Sequence, residues 1–187
     1  MDLVTKIFPA DSDIQHLIAA EKAQEEKAKA SEVRWYAGMP RSIRPMWGKT
    51  SEEFLLLMKL SSTDLNQLLQ ALAQEFPQGS DQILALLTWY GSGEGPWSGF
   101  PAYEDIPQQL LMEFSTAEIL AAIESTSMSD TQLEGAARFF GGWELSVRRP
   151  DKLKALPESL KRTLLEHSLG STDEDKRTRA KRAFSAQ

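Results

Sequence analysis

The sequence predicts an all-α fold, in which antiparallel helix pairs pack as a bundle or as a short HEAT-like stack of about eight to nine helices. Apolar residues recur at three- and four-residue intervals, as in the stripe Leu65, Leu68 and Leu72, and this is the period of a core-facing helix. No segment alternates apolar and polar residues over the length of a strand. The predicted connections are mostly short, which favours antiparallel neighbours.

The predicted helices follow one another along the whole chain. The first is a solvated helix, because its stretch from Ala19 to Ala30 is rich in Ala, Lys and Glu and contains the i,i+4 ion pairs Lys22–Glu26 and Glu25–Lys29. The others are predicted from apolar stripes and from their boundary signals. The predicted ranges are 12–36, 51–60, 63–76, 80–90, 105–114, 116–125, 130–140, 157–168 and 172–184.

Boundary signals support these ranges. A capping box pairs a Ser or Thr hydroxyl with an early backbone N–H, while a Glu or Gln three residues later bonds back to the cap. Glycines at the helix ends, namely Gly91 and the pair Gly141–Gly142, are expected to take the left-handed conformation that glycine adopts without a Cβ penalty. Residues with capping-box spacing are Thr50 and Glu53, Ser115 and Glu118, Ser129 and Gln132, and Ser171 and Glu174.

Two regions are expected. Residues 1–49 hold the N-terminal helix and a linker from Gly38 to Lys49 that contains two prolines and three basic residues. Residues 50–187 form the main all-helical domain. The apolar residues of the first helix cluster at its two ends, which suits a dimer contact as well as an intramolecular one. They are Ile14, Leu17, Ile18, Val33, Trp35 and Tyr36.

The charges are strongly segregated along the chain. Residues 50–146 carry fourteen acidic residues and two basic ones, Lys59 and Arg138, for a net charge of −12. Residues 147–187 have a net charge of +5 and residues 1–49 a net charge of +1. Such a distribution steers the encounter with oppositely charged partners. We therefore expect a basic protein partner for the middle of the chain.

Composition narrows the functional classes. The chain contains no cysteine, which excludes a disulfide framework, a zinc-thiolate site and a cysteine nucleophile. The first ten residues have no apolar run of signal-peptide length, and no stretch approaches the length of a membrane span. We expect a cytoplasmic protein that binds neither membrane nor nucleic acid. The basic stretch from Lys176 to Arg182 follows an acidic start, which is the arrangement that the helix dipole favours.

The glycine-rich segment from Gly91 to Pro101, GSGEGPWSGFP, is the main candidate for a binding site. It lacks the spacing and the lysine of a phosphate-binding loop, and a helix rather than a strand precedes it. Aromatic side chains on such a loop either anchor a partner or pack between helices. The predicted partner-binding residues are Glu94, Trp97, Phe100, Tyr103, Glu104 and Asp105.

Catalysis is not expected. The histidines, His16 and His167, are far apart in the sequence and have no metal-ligand spacing. The carboxylates Glu94, Glu104 and Asp105 are the remaining catalytic material, although Asp105 also suits an N-cap position. We expect no catalytic residue, no metal site and no cofactor.

Three runs of the sequence resemble small bacterial proteins of the immunity type, which bind and neutralise a cognate toxin domain. They read WYGSGEGPWSGFPAYE at Trp89 to Glu104, LEGAARFFGGW at Leu133 to Trp143, and LLEHSLGSTDEDKRTRA at Leu164 to Ala180. The resemblance implies an inhibitor that acts by protein–protein contact. A helical-repeat adaptor without catalysis is the alternative, and an enzyme ranks third.

Overall fold

The computed structural model describes residues 12–44, 62–93, 106–142 and 155–185. This part of the chain is all-helical, so the predicted fold class is confirmed. The predicted helix at residues 51–60 lies outside the described residues. The described helices are α1 (Ser12–Gly38), α2 (Ser62–Glu75), α3 (Gly79–Gly91), α4 (Ile106–Met112), α5 (Thr116–Glu124), α6 (Asp130–Gly141), α7 (Glu158–Leu169) and α8 (Glu174–Phe184).

Helix α3 is the centre of the described fold. It contacts α1, α2, α4 and α5, and its most extensive contact is with α6. Its side chains Leu86, Leu87 and Trp89 are completely buried, because helices surround it on several sides. Helices stacked in sequence order would mainly touch their neighbours along the chain. The described helices therefore form a bundle around α3, and α7 and α8 form a C-terminal hairpin that packs on α6.

Two of the predicted capping boxes are confirmed. The Ser115 hydroxyl accepts from the backbone N–H of Glu118, whose carboxylate accepts from the Ser115 backbone N–H at 2.8 Å. Ser129 and Gln132 form the same reciprocal pair at the start of α6. The pair Thr50 and Glu53 lies outside the described residues.

The prediction for the start of α8 is wrong in detail. The N-cap is Asp173 and not Ser171, since a carboxylate oxygen of Asp173 accepts from the backbone N–H groups of Asp175 and Lys176. The Ser171 hydroxyl instead accepts from the backbone N–H of Asp173, at 3.1 Å. A carboxylate is as good a cap as a hydroxyl and also suits the helix dipole, so the acid two residues later takes the position.

The left-handed glycines expected at the helix ends are not observed in the described residues, where no glycine has a positive φ. Gly142 caps α6 with φ −65° and ψ 150°, which any residue can adopt. Gly91 is the last residue of α3. Its small size serves a close helix contact, as described below, and not an unusual backbone conformation.

The segment predicted as a linker after the first helix begins inside the core. Helix α1 continues to Gly38, and Met39 and Ile43 in the turn that follows are buried. The carboxylate of Glu75, at the end of α2, accepts from the backbone N–H groups of Arg41 and Ser42 at 3.2 and 2.7 Å. The turn is therefore fastened to both α2 and the core.

Candidate binding site at the roots of the glycine-rich loop

All six residues predicted to bind a partner lie in residues 94–105, outside the described part of the chain. Their assignment stays a prediction. The structure describes the two roots of this segment, which are the end of α3 with Ser92 and Gly93, and the start of α4 at Ile106. Four contacts determine how these roots are held, and they define the platform from which the segment departs.

The first contact is a crossing of α3 and α6 with almost no space between the backbones. A Cβ atom on Gly91 would lie 1.8 Å from the carbonyl oxygen of Thr131. A Cβ atom on Gly135 would lie 2.0 Å from the carbonyl oxygen of Leu87. Only hydrogen fits at either position, since real contacts between carbon and oxygen are well over 3 Å. Glycine at both positions therefore allows the N-terminal root to sit directly on α6.

The second contact is made by the guanidinium of Arg138 at the C-terminal end of α3. The Nη1 of Arg138, on α6, donates to the carbonyl oxygens of Tyr90 at 2.5 Å and Gly93 at 2.8 Å. The guanidinium also lies over the Tyr90 ring, 4.4 Å from its centroid, in a cation–π arrangement. The last carbonyls of a helix carry partial negative charge, so Arg138 satisfies them and fixes the first residues of the loop.

The third contact joins the two roots. The Tyr90 hydroxyl lies 3.0 Å from Oε1 of Gln108 and donates to it. Gln108 belongs to the first turn of α4, whose residues Ile106, Leu110 and Leu111 are buried in the core. Both ends of the intervening segment are therefore attached to Tyr90, one through the backbone and one through the side chain.

The fourth contact brings in the end of α1. Trp35 is 2% exposed, and its ring centroid lies 5.2 Å from that of the buried Trp89 on α3. The backbone of Gly38 lies close to Ser92, since a Cβ atom there would be 2.2 Å from the Ser92 hydroxyl oxygen. The Ser92 hydroxyl donates to the carbonyl of Trp89. The N-terminal root is thus enclosed by α1, α3 and α6.

The helices that contain these roots belong to an acidic part of the chain. Residues 62–93 and 106–137 contain eight acidic residues and no lysine or arginine. Within the described chain, no lysine or arginine forms an ion pair with the exposed carboxylates of Asp81, Glu113, Glu124 or Asp130. These carboxylates therefore contribute their full charge to the surface field, subject to screening by salt.

The other acids of this region serve the fold. Partial burial acts to raise the pKa of the Glu75 carboxyl, but hydrogen bonds from Ser42 and Arg41 outweigh it, so the pKa lies below its ordinary value. The hydrogen bond from the Ser115 hydroxyl lowers the pKa of Glu118. Both groups are ionised at neutral pH and hold the ends of helices or turns.

Glu134 connects the acidic region to the C-terminal hairpin. Its Oε1 lies 2.6 Å from Nζ of Lys176 on α8, and its Oε2 lies 3.5 Å from Nε2 of His167 on α7. The Glu134 side chain is about 20% exposed. A single half-buried carboxylate therefore links three helices, and His167 is placed for packing and pairing rather than on an open surface.

Chemical groups for catalysis are not brought together in the described residues. No group of three His, Asp or Glu side chains there has the geometry of a metal site. His16, the other histidine, is exposed on α1, far along the chain from His167. Among the helices that the structure describes, none is long and apolar enough to cross a membrane.

Neither the family models, nor the curated proteins, nor the solved structures compared with this chain gave a match. The resemblance to immunity proteins therefore stays a prediction.

Sequence reasoning missed two residues of the platform, Gly135 and Arg138. Gly135 interrupts the apolar stripe of α6, where a helix interior ordinarily avoids glycine because of its conformational entropy. Arg138 is one of only two basic residues in a region of net charge −12. An isolated base in acidic surroundings and an isolated glycine in a helix are the signals that would have found them.

Proposed function

We propose that this protein is a cytoplasmic binding protein of the immunity type, which neutralises a cognate basic toxin domain by protein–protein contact and without catalysis. One observation carries the proposal. Residues 62–93 and 106–137, which contain both roots of the glycine-rich loop, expose several carboxylates and have no lysine or arginine, and the next basic residue, Arg138, is occupied by carbonyls at the end of α3. The surface thus offers uncompensated negative charge to a partner.

The proposed binding event has two stages. The acidic surface steers a basic domain towards the loop, because complementary fields raise association rates. Aromatic side chains then supply the desolvated anchors of the interface, and carboxylates pair with arginine or lysine of the toxin. The anchors in this proposal are Trp97, Phe100 and Tyr103, and the pairing acids are Glu94, Glu104 and Asp105.

The platform supports this proposal through preorganisation. A loop that must become ordered on binding costs conformational entropy, and this cost reduces affinity. Here Arg138 holds Gly93, and the hydroxyl of Tyr90 holds the first turn of α4. Both ends of the loop are therefore in place before any partner arrives.

The alternative function is an adaptor with a concave face along stacked helix pairs. In the described chain the helices surround α3, and this arrangement favours a bundle over a stack. The adaptor alternative depends on a stack and so has less support from the described helices, and we retain the inhibitor as the proposed function.

The test is an affinity pull-down from the source organism's lysate at low and at high salt, followed by mass spectrometry. The proposal expects one basic partner at near one-to-one stoichiometry, encoded next to this protein and released as salt screens the acidic surface. The partner alone should be toxic and should lose its toxicity when both proteins are expressed together. Retention of many partners, or of none, contradicts the inhibitor function.

A charge-reversal pair locates the surface. Glu113→Lys with Glu124→Lys should weaken binding of the retained partner by roughly three- to tenfold, chiefly through the association rate. The matched control reverses two exposed acids elsewhere, Glu21→Lys on α1 and Glu166→Lys on α7. Equal losses for both pairs would mean that only the net charge matters and that the acidic surface is not the binding face.

A further inference from the structure

Only the last turn of helix α1 and the residues just after it pack on the body of the protein. The part of the helix before Trp35 projects from the body. Every side chain that the structure describes between His16 and Arg34 is exposed, and the extensive contact of α1 within the described chain is with α3 alone. That contact uses Trp35 and the residues just after it. At 1.5 Å per residue, roughly 30 Å of helix extend away from the bundle.

One face of this projecting helix combines charges with exposed apolar side chains. Lys22, Glu25, Lys29, Val33 and Tyr36 follow one another at intervals of three and four residues, so they lie on one side of the helix. We call these five residues the outer face of α1. Val33 is 68% exposed and Tyr36 is 37% exposed, and large apolar groups on a solvated helix indicate an interaction surface.

The charges of α1 differ between its two halves. Residues 12–25 carry three acids and one base, whereas residues 26–38 carry three bases and two acids. The halves therefore have formal charges of −2 and +1. A parallel pair of such helices would place like charges together, and an antiparallel pair places each half against one of opposite sign. The helix dipoles favour the antiparallel arrangement as well.

We propose that the outer face of α1 is a dimer interface, occupied by the α1 helix of a second copy in antiparallel orientation. Glu25 of each protomer then lies near Lys29 of the other, and Val33 lies near position 22 of the other helix. The two-fold contact is isologous and closed, so association stops at the dimer. The two bodies then lie at opposite ends of the helix pair.

This proposal is independent of the toxin partner. It rests on the exposure, spacing and charge of α1, and it remains testable if the acidic surface proves to have another role.

The first experiment measures the mass of the full chain by sedimentation over a range of concentrations. A dimer is expected, and Lys29→Glu should weaken it at least about tenfold, because the substitution places a carboxylate against Glu25 of the other copy, twice in the symmetric pair. Lys27→Glu is the matched control, since Lys27 is exposed on the opposite side of the same helix. A monomeric mass at the highest soluble concentration would overturn the proposal, and so would equal effects of the two substitutions.

The second experiment tests the orientation and takes advantage of a chain without cysteine. Lys22→Cys and Val33→Cys are prepared separately, then mixed and oxidised. The antiparallel pair predicts a mixed disulfide between the two variants and little self-linkage of either one, because the two positions face each other across the dimer. A self-linked Val33→Cys dimer with no mixed product would show a parallel pair and overturn the orientation.

Discussion

Helix α6 makes two contacts of opposite character. Towards α3 it presents Gly135, whose backbone touches the carbonyl of Leu87 with no space for a single methyl group. Towards the C-terminal hairpin it presents apolar side chains together with Glu134, which is shared between Lys176 and His167. The first contact depends on glycine having no side chain, and the second depends on side chains that pack or carry charge.

The difference determines what each contact can tolerate. Two backbones in direct contact cannot adjust to added volume without moving whole helices, since protein interiors are close-packed. Side chains at the hairpin contact can change rotamer, and a surface-accessible carboxylate can exchange a cation for water. We therefore expect the α3–α6 crossing to be the rigid support of the loop roots, and the hairpin to open locally at lower free energy.

The largest effect is expected at the crossing. Gly135→Ala places a methyl group about 2.0 Å from the Leu87 carbonyl oxygen, so α3 and α6 must separate. The loss should be about 3 kcal/mol of unfolding free energy, which exceeds the gain of about 1 kcal/mol from the better helix propensity of alanine. Urea unfolding followed by circular dichroism measures the change.

Gly79→Ala is the control for that substitution. Gly79 begins α3, and a Cβ atom there would meet no heavy atom within 4 Å. Alanine should leave stability unchanged or raise it by up to about 1 kcal/mol. If Gly135→Ala were as harmless as Gly79→Ala, the close crossing would not contribute to stability in solution.

A substitution at the contact between α6 and the C-terminal hairpin should cost less unfolding free energy, and its effect should be confined to the hairpin. Phe184, at the end of α8, is 3% exposed, and its ring packs against Gly141 of α6. Phe184→Ala removes this ring, and we expect a cost of about 2–3 kcal/mol, at the lower end for an aromatic because the last turn of a helix can partly collapse into the space. Amide hydrogen exchange should accelerate in α7 and α8 while α3 remains protected. Equal acceleration of exchange in all helices would contradict the expectation that the hairpin opens at a lower free energy than the α3–α6 crossing.

The helical pattern was predictable because it depends on local spacing. The caps of α5 and α6 were predicted because Ser115 and Ser129 bond to residues three positions away. The α3–α6 crossing was not predictable, since Gly91 and Gly135 come together from distant parts of the chain. The burial of Ile43, in a segment predicted as a linker, depends on tertiary contacts in the same way.

In the candidate site, too, the part that depends on local sequence was predictable and the part that depends on distant contacts was not. The loop was recognised from its composition, and its six predicted binding residues remain untested because they lie outside the described residues. The platform beneath the loop was invisible in the sequence. Arg138 reaches back across 45 positions to the carbonyl of Gly93, and no local pattern specifies such a partner.

A smaller effect is expected at the ionic part of the hairpin contact. Glu134→Gln keeps the size of the side chain and removes the charge that Lys176 pairs with at 2.6 Å. Both groups are partly exposed, so solvent screens the pair and the cost should be about 1 kcal/mol. Combining Glu134→Gln with Lys176→Met in a double-mutant cycle isolates the coupling. High salt should reduce that coupling, and a coupling that ignores salt would indicate packing instead of charge.

The smallest effect is expected for Asp173→Asn at the N-cap of α8, and it should depend on pH. The hydrogen bond from the backbone N–H of Lys176 lowers the pKa of the Asp173 carboxyl. A lowered pKa in the folded state means that the ionised carboxylate adds stability above the unfolded pKa of about 4. The contribution disappears as pH falls through the folded pKa, because the carboxyl is then protonated in both states. Asp173→Ala should cost about 1 kcal/mol near pH 6, and Asp173→Asn less, since asparagine also caps.

The measurement for this cap is the difference in unfolding free energy between the wild type and Asp173→Asn at several pH values. The lowered pKa values of Glu75 and Glu118 are present in both proteins and cancel in this difference. The difference should shrink steadily below pH 4, because protonation removes the charge that distinguishes the two caps. A difference that stayed constant down to the acid transition would show that Asp173 acts only as a neutral hydrogen-bond acceptor. The stability of the turn between α7 and α8 would then depend on packing and hydrogen-bond geometry, as that of the α3–α6 crossing does, and less on charge.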